Sequence, residues 1–118
     1  MLWINDLLPQ FDFLVMERSF VTGVGNNVNI FGVRLNGADD VSSLAALPQP
    51  FTGRTVEKTL LLNVASAGVV PDNLEGMALG PRLPDGRASL ILISDDNFND
   101  VNQIGQFLLF AVAPAHRM

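Results

Sequence analysis

An all-β, antiparallel domain of about six strands is what this sequence predicts, and three observations carry that prediction. The apolar stretches are short and rich in Phe, Val, Ile and Leu, which suits strands better than helices. They are separated by turn-forming clusters, Thr22-Gly23-Val24-Gly25-Asn26-Asn27, Asn36-Gly37 and Leu83-Pro84-Asp85-Gly86. The one stretch with a helix-start signal, Asp39-Asp40 followed by Ser42-Ser43, runs within a few residues into Pro48 and Pro50, so at most one helical turn can form there.

The elements follow in order. After Pro9, residues Phe11 to Val21 form the first strand and Val28 to Leu35 the second, an antiparallel hairpin joined by the Gly/Asn loop. Residues 38–55 are an internal loop. Glu57 to Val64 is a third strand, apolar on both faces at its centre, as expected of a strand covered on two sides. Small residues from Ala65 lead through Pro71-Asp72 into strands at Leu74–Leu79 and Ala88–Ser94. Leu83-Pro84-Asp85-Gly86 joins that pair as a type I turn: Pro presets φ, Asp tolerates the third position, and Gly takes the left-handed residue. The second arm, Ser89-Leu90-Ile91-Leu92-Ile93, is again apolar on both faces and predicts cover on each. A polar loop from Asp95 to Gly105 precedes the sixth strand, Gln106 to Val112, and residues 115–118 form a tail.

The 118 residues suit a single domain. Hydrophobic residues make up 48% and charged residues only 16%, so the chain is not disordered and its surface is poor in charge, which points to association with further copies or a partner. Twelve acids against seven bases, with no basic cluster, exclude a phosphate-tracking nucleic-acid surface. There is no cysteine, hence neither a disulfide framework nor a thiolate metal site. The apolar opening is interrupted by Asp6, lacks a basic lead and stops at Pro9, unlike a secretory signal. No apolar run approaches the ~20 residues of a membrane span, so neither nucleic acid nor membrane is an expected partner. The two halves echo each other weakly, at a spacing compatible with successive propeller blades; a compact β-sandwich is the alternative.

Four blocks carry a family resemblance: NLEGMALGP from Asn73, LPDGR from Leu83, SLILISDDNF from Ser89 and QFLLF from Gln106, preceded by FLVMERSF and IFGVRL. In these blocks the chain resembles the C-terminal portion of the phytase-like family, described as esterase-like activity of phytase. The resemblance implies a β-propeller roughly three times this length, of which the chain would be the last one and a half blades or so. It implies a parent that is a metal-assisted hydrolase of phosphate or carboxylic esters in an extracytoplasmic setting, and a fragment inactive alone. The first three strands would then be outer strands of one blade and the last three the inner strands of the next, with its fourth strand missing and homo-oligomers covering what is exposed.

In the blade reading, Glu75 near the start of an innermost strand would approach the propeller axis, with Asp95, Asp96, Asn97 and Asn99 delivered by the following loop. Oxygen ligands of this kind suit a hard cation such as Ca²⁺, which could grip a phosphate or polarise an ester carbonyl. The spacing does not match the Asp-x-Asp-x-Asp-Gly pattern of an EF-hand, so the metal assignment rests on resemblance and residue type. The plainer reading is that Asp95 to Asn102 is a solvated turn whose side chains bond their own backbone, while Glu75 caps an amide or pairs with Arg82 or Arg87. His116 is the only histidine and sits in the tail. Neither a Gly-x-Ser-x-Gly elbow nor a cysteine is present, which excludes a serine triad, and Gly23-Val24-Gly25 fits a hairpin loop better than a phosphate cradle.

Overall fold

A computed structural model describes residues 1–99 and 101–113. Among them the chain is all-β, with seven strands in two open antiparallel sheets. The first sheet has the order β1 (Leu2–Trp3), β2 (Phe13–Val21), β3 (Gly25–Arg34), β4 (Glu57–Asn63), and the second β5 (Leu74–Leu79), β6 (Ala88–Ser94), β7 (Phe107–Val112). Every connection is between neighbours, so each sheet is a meander. The six expected strands fall within a few residues of their predicted ends, and the division into a first three and a last three is the division between sheets. The strand missed by the sequence reading is β1, two residues that pair Leu2 with Leu14 and Trp3 with Phe13.

Alternation explains the core. Leu14 on β2, Val28 and Ile30 on β3 and Leu90 and Leu92 on β6 are buried from both sheets into one cluster, completed by Ile4, Leu8, Phe11, Val64 and Leu74. The sheets therefore meet face to face over a shared core, in a sandwich-like arrangement that does not close into a ring. Full burial of side chains such as these stabilises by about 1.5–3 kcal/mol each.

The opposite faces are not covered, which corrects the expectation for two strands. Strand β4 pairs only with β3 and so lies at a sheet edge, leaving Leu60 and Leu61 exposed. On β6 the face away from the core carries half-buried Ile91 and exposed Ile93, registered against exposed Leu109 and Phe107 of β7. Both-face hydrophobicity in these strands thus does not correspond to cover on both faces among the described residues.

The turns match their chemistry. Gly86 has φ +87 and its amide donates to the Leu83 carbonyl at 2.9 Å, while the Leu83 amide donates to the Arg87 carbonyl at 2.8 Å. Residues 38–55 form a loop without a helical turn, held at its base by the Asp39 amide on the Arg54 carbonyl and the Arg54 amide on the Asp39 carboxylate, each 2.9 Å. Among the described residues the one helical turn falls instead at Val64–Ala67, a 3₁₀ turn ended by Gly68 in the left-handed region. No helix among the described residues is long and apolar enough to cross a membrane.

Candidate functional site

The functional candidates gather where β5 begins and β6 ends. Leu74 pairs with Ser94 and Gly76 with Ile93, so the ladder gains one residue on β5 between them, and that residue is Glu75. A β-bulge leaves its extra residue unpaired and re-aims its side chain. The following glycine is required by the same distortion: a Cβ on Gly76 would stand 2.4 Å from Cγ2 of Ile93.

Asn73 holds the bulge. Its side chain is nearly inaccessible, at 3% exposure, and its Nδ2 donates to Glu75 Oε1 at 2.9 Å and to the Asp95 carbonyl at 3.0 Å. The Asp95 amide returns a bond to the Asn73 carbonyl at 3.0 Å. With both amide hydrogens committed to acceptors, the orientation of the Asn73 amide is set, and its Oδ1 is left buried with no partner. Buried acceptors in proteins are nearly always paired, which sets this oxygen apart from its neighbours.

Arg18 reaches the same corner from the other sheet. Its Nη2 lies 3.9 Å from Glu75 Oε1 and its Nη1 donates to Asn26 Oδ1 at 3.4 Å. Both charged side chains are more than a third exposed or close to it, at 35% and 47%. The pair is therefore long and solvent-screened and contributes little to stability, and the guanidinium is shared between Glu75 and Asn26. The expected Arg82 and Arg87 partners are occupied elsewhere: Arg82 donates to the Gly86 carbonyl, and Arg87 pairs with Asp85 at 2.7 Å. That pairing holds the Asp85 carboxyl below its ordinary value and raises the Arg87 guanidinium.

Beyond β6 the acidic loop follows the turn chemistry expected of it. Asp95 Oδ1 accepts from the Asn97 amide at 2.8 Å and Asp96 Oδ1 from the Phe98 amide at 3.0 Å. Asn97 Nδ2 donates to Gln103 Oε1, and Asn99 Oδ1 accepts from Asn102. Asn97 and Phe98 both have positive φ, and Phe98 is fully exposed. The loop is tied back to β5 through Asp72, whose carboxylate accepts from the Asn73 and Ile104 amides, and through Gln106 Oε1, which accepts from the Asp72 amide.

Of the five residues expected to hold a cation, the structure links Glu75 to the backbone of Asp95 through Asn73, and it engages Asp96, Asn97 and Asn99 within their own loop. Among the described residues no group of three or more His, Asp or Glu side chains stands together as a metal site. Asp100 and His116 lie outside the described residues. Sequence reasoning missed Asn73 and Arg18. The first precedes β5 and becomes a brace only through the bulge at Glu75; the second becomes a neighbour only through sheet packing. A cleft of about 410 Å³ lies elsewhere, between the sheets, with an apolar lining that includes Phe11, Leu14, Leu90 and Phe110 and no ionisable residue. It offers shape without ionisable groups.

No curated protein and no solved structure matches the chain. The family model phytase-like, described as esterase-like activity of phytase, matches residues 5–98. That span takes in β2 to β6, Arg18, the Asn73–Glu75 bulge and the start of the acidic loop, and by it the chain belongs to the phytase-like family.

Proposed function

We propose that this chain is the C-terminal part of a β-propeller hydrolase of phosphate or carboxylic esters, that the reaction is metal-assisted, and that the Glu75 corner is the chain's contribution to the reacting site. The observation that carries the reading is the bulged Glu75 braced by a buried asparagine whose own oxygen has no partner. A four-stranded sheet followed by a three-stranded one agrees with one blade and most of the next.

The donor set supports a hard cation: it consists of carboxylate and amide oxygens, the chain has no cysteine, and Asn73 Oδ1 is an acceptor left for it. Glu75, with Asp95, Asp96, Asn97 and Asn99 beside it, would hold such an ion, and Ca²⁺ when bound would polarise an ester carbonyl or grip a phosphate. The chain's own part is positional. Asn73 fixes one carboxylate oxygen of Glu75 and leaves the other free; Arg18 offers two N–H groups to an ester oxyanion; the bulge turns Glu75 out of the ladder toward both. Because three acids do not converge here among the described residues, further donors come from outside them, and the 118-residue chain alone is inactive. An extracytoplasmic setting accompanies this reading, where calcium sites of about 10⁻⁴–10⁻³ M function.

Inorganic phosphate titrated into the isotopically labelled chain at millimolar calcium tests the placement. The amides of Arg18, Asn73 and Glu75 are expected to shift first. Perturbation centred on the apolar cleft, with those three unmoved, would refute it. A second reading, a non-catalytic β-domain that binds or self-assembles, is favoured by the uncovered outer face of β6 and β7.

A further inference from the structure

Asn36 stands apart from the other asparagines of this molecule. Each of those has its side-chain amide in a hydrogen bond. Asn63 Nδ2 donates to Asn27 Oδ1 and Asn29 Oδ1 at 2.8 Å across β3 and β4, Asn5 Nδ2 donates to the Phe11 carbonyl at 3.0 Å, and the remainder are bonded to Arg18, to Glu75 or within the acidic loop. The Asn36 carboxamide has no partner among the described residues, and the residue is exposed.

It is also the one asparagine followed by glycine. The Ala38 amide donates to the Leu35 carbonyl at 3.0 Å and Gly37 has φ +87, so Asn36 and Gly37 are the central pair of a β-turn whose third position requires the left-handed residue. The peptide between them lies outside the closing bond: the Gly37 amide has no acceptor among the described residues, and a Cβ built on Gly37 meets nothing within 4 Å. A nucleophilic nitrogen and an electrophilic carboxamide carbon thus adjoin in open space. Asp85-Gly86 shows the opposite arrangement at a glycine with the same φ. There Asp85 Oδ1 accepts from the Arg87 amide at 3.0 Å, Oδ2 accepts from Arg87 Nε at 2.7 Å, and the Gly86 amide is committed to the Leu83 carbonyl.

We propose that Asn36 is a self-modification site, at which the chain converts its own carboxamide to a carboxylate. Asparagine is among the thermally labile residues, and the turn leaves this one free to react. The Gly37 nitrogen attacks Asn36 Cγ: an N–Cγ bond forms, the Cγ–Nδ2 bond breaks, and the Gly37 amide proton leaves with Nδ2 as ammonia, giving a cyclic imide. Water then opens the ring. Addition at Cγ breaks the new N–Cγ bond and leaves aspartate; addition at the main-chain carbonyl breaks the original peptide bond and leaves isoaspartate, with the chain running through Cβ and Cγ. The net exchange is water for ammonia, without oxidant or reductant, and base speeds it by removing the amide proton. Either product adds one negative charge to a net charge of −5, and isoaspartate lengthens the main chain inside the turn that leads from β3 into residues 38–55. The inference is independent of the ester-hydrolase reading, since neither residue belongs to the Glu75 corner.

The full chain, incubated at pH 9 in oxygen-labelled water and then digested with trypsin, tests this directly. Cleavage after Arg34 and Arg54 isolates residues 35–54, in which Asn36 is the one asparagine. That peptide is expected to gain the mass of NH₂ replaced by labelled OH, an order of magnitude faster than any other asparagine-containing peptide, and more slowly at pH 6. Electron-transfer fragmentation is expected to find isoaspartate in excess of aspartate at position 36. Asn36→Gln, whose longer side chain would need a larger ring, is expected to abolish the conversion and leave the melting temperature unchanged, because the side chain has no partner to lose. Conversion spread evenly over the asparagines would overturn the inference. So would a folded chain that stays unmodified at position 36 while a synthetic peptide of residues 35–54 converts in the same buffer, since the turn would then be holding the groups apart.

Discussion

Asn73 is the residue on which the candidate site turns. Its amide makes the two bonds that join Glu75 to the end of β6, so Asn73→Ala is expected to cost about 1–3 kcal/mol in urea unfolding. Asn73→Asp puts a buried carboxylate against the Glu75 carboxylate and the Asp95 carbonyl. It should be the more destabilising of the two at pH 7, and the gap to wild type should narrow as the pH is lowered and the new acid is neutralised. An Asp variant as stable as the Ala variant at neutral pH would contradict the bonding described. Asp85 provides the opposite pH signature. Its folded carboxyl is held below 3.8 by Arg87, so its contribution is present above that ordinary value and is lost as pH falls through the lower, folded one. Asp85→Asn should therefore lower stability at neutral pH and converge on wild type in strong acid, as read from melts across pH 7 to 2. Of these two residues, Asp85 was legible from its turn. Asn73 was not, because a buried side chain acting as a cross-strand brace follows from the bulge, and nothing in a single sequence distinguishes a bulged ladder from a regular one.

At the scale of elements, the hairpin β5–β6 is where local chemistry and packing agree best. The Pro84-Asp85-Gly86 turn forms as its residues require, and Gly86→Ala, forced to φ +87, should cost about 1–2 kcal/mol. Leu92 is wholly buried between the sheets, and Leu92→Ala should cost about 2–5 kcal/mol, measured by the same unfolding assay; a loss under 1 kcal/mol would mean that the core is not where it is described. Strand positions were readable because apolar runs bounded by Gly, Pro and Asn leave few alternatives over so short a chain. The environment of those strands was less readable. Runs apolar on both faces, as in β4 and β6, were expected to be covered on both, yet here one face stays open. The sequence pattern records the surroundings for which the strand is suited, whether or not this chain supplies them. Strand β1 escaped notice because two residues hold no periodicity, and its pairing depends on β2 already being in place.

The whole molecule is a slab of 42 × 41 × 22 Å whose two sheets share one core and turn apolar faces outward. That openness accords with a part of a larger β-structure, and it explains why the site was only half legible. Glu75 and the acidic loop stand out by residue type, but Arg18, on the first sheet, meets Glu75 only once the sheets have stacked. The absence of a three-acid cluster among the described residues makes any cation site of this chain partial, so its affinity should be weak and sensitive to the loss of a single donor. Thermal melting in calcium measures this most directly, since a ligand that binds only the folded state raises its stability. The account predicts a rise in melting temperature for the wild-type chain at millimolar calcium, reduced in Asp95→Ala and abolished in Glu75→Ala. Identical melting with and without calcium, or an equal rise in Glu75→Ala, would contradict it.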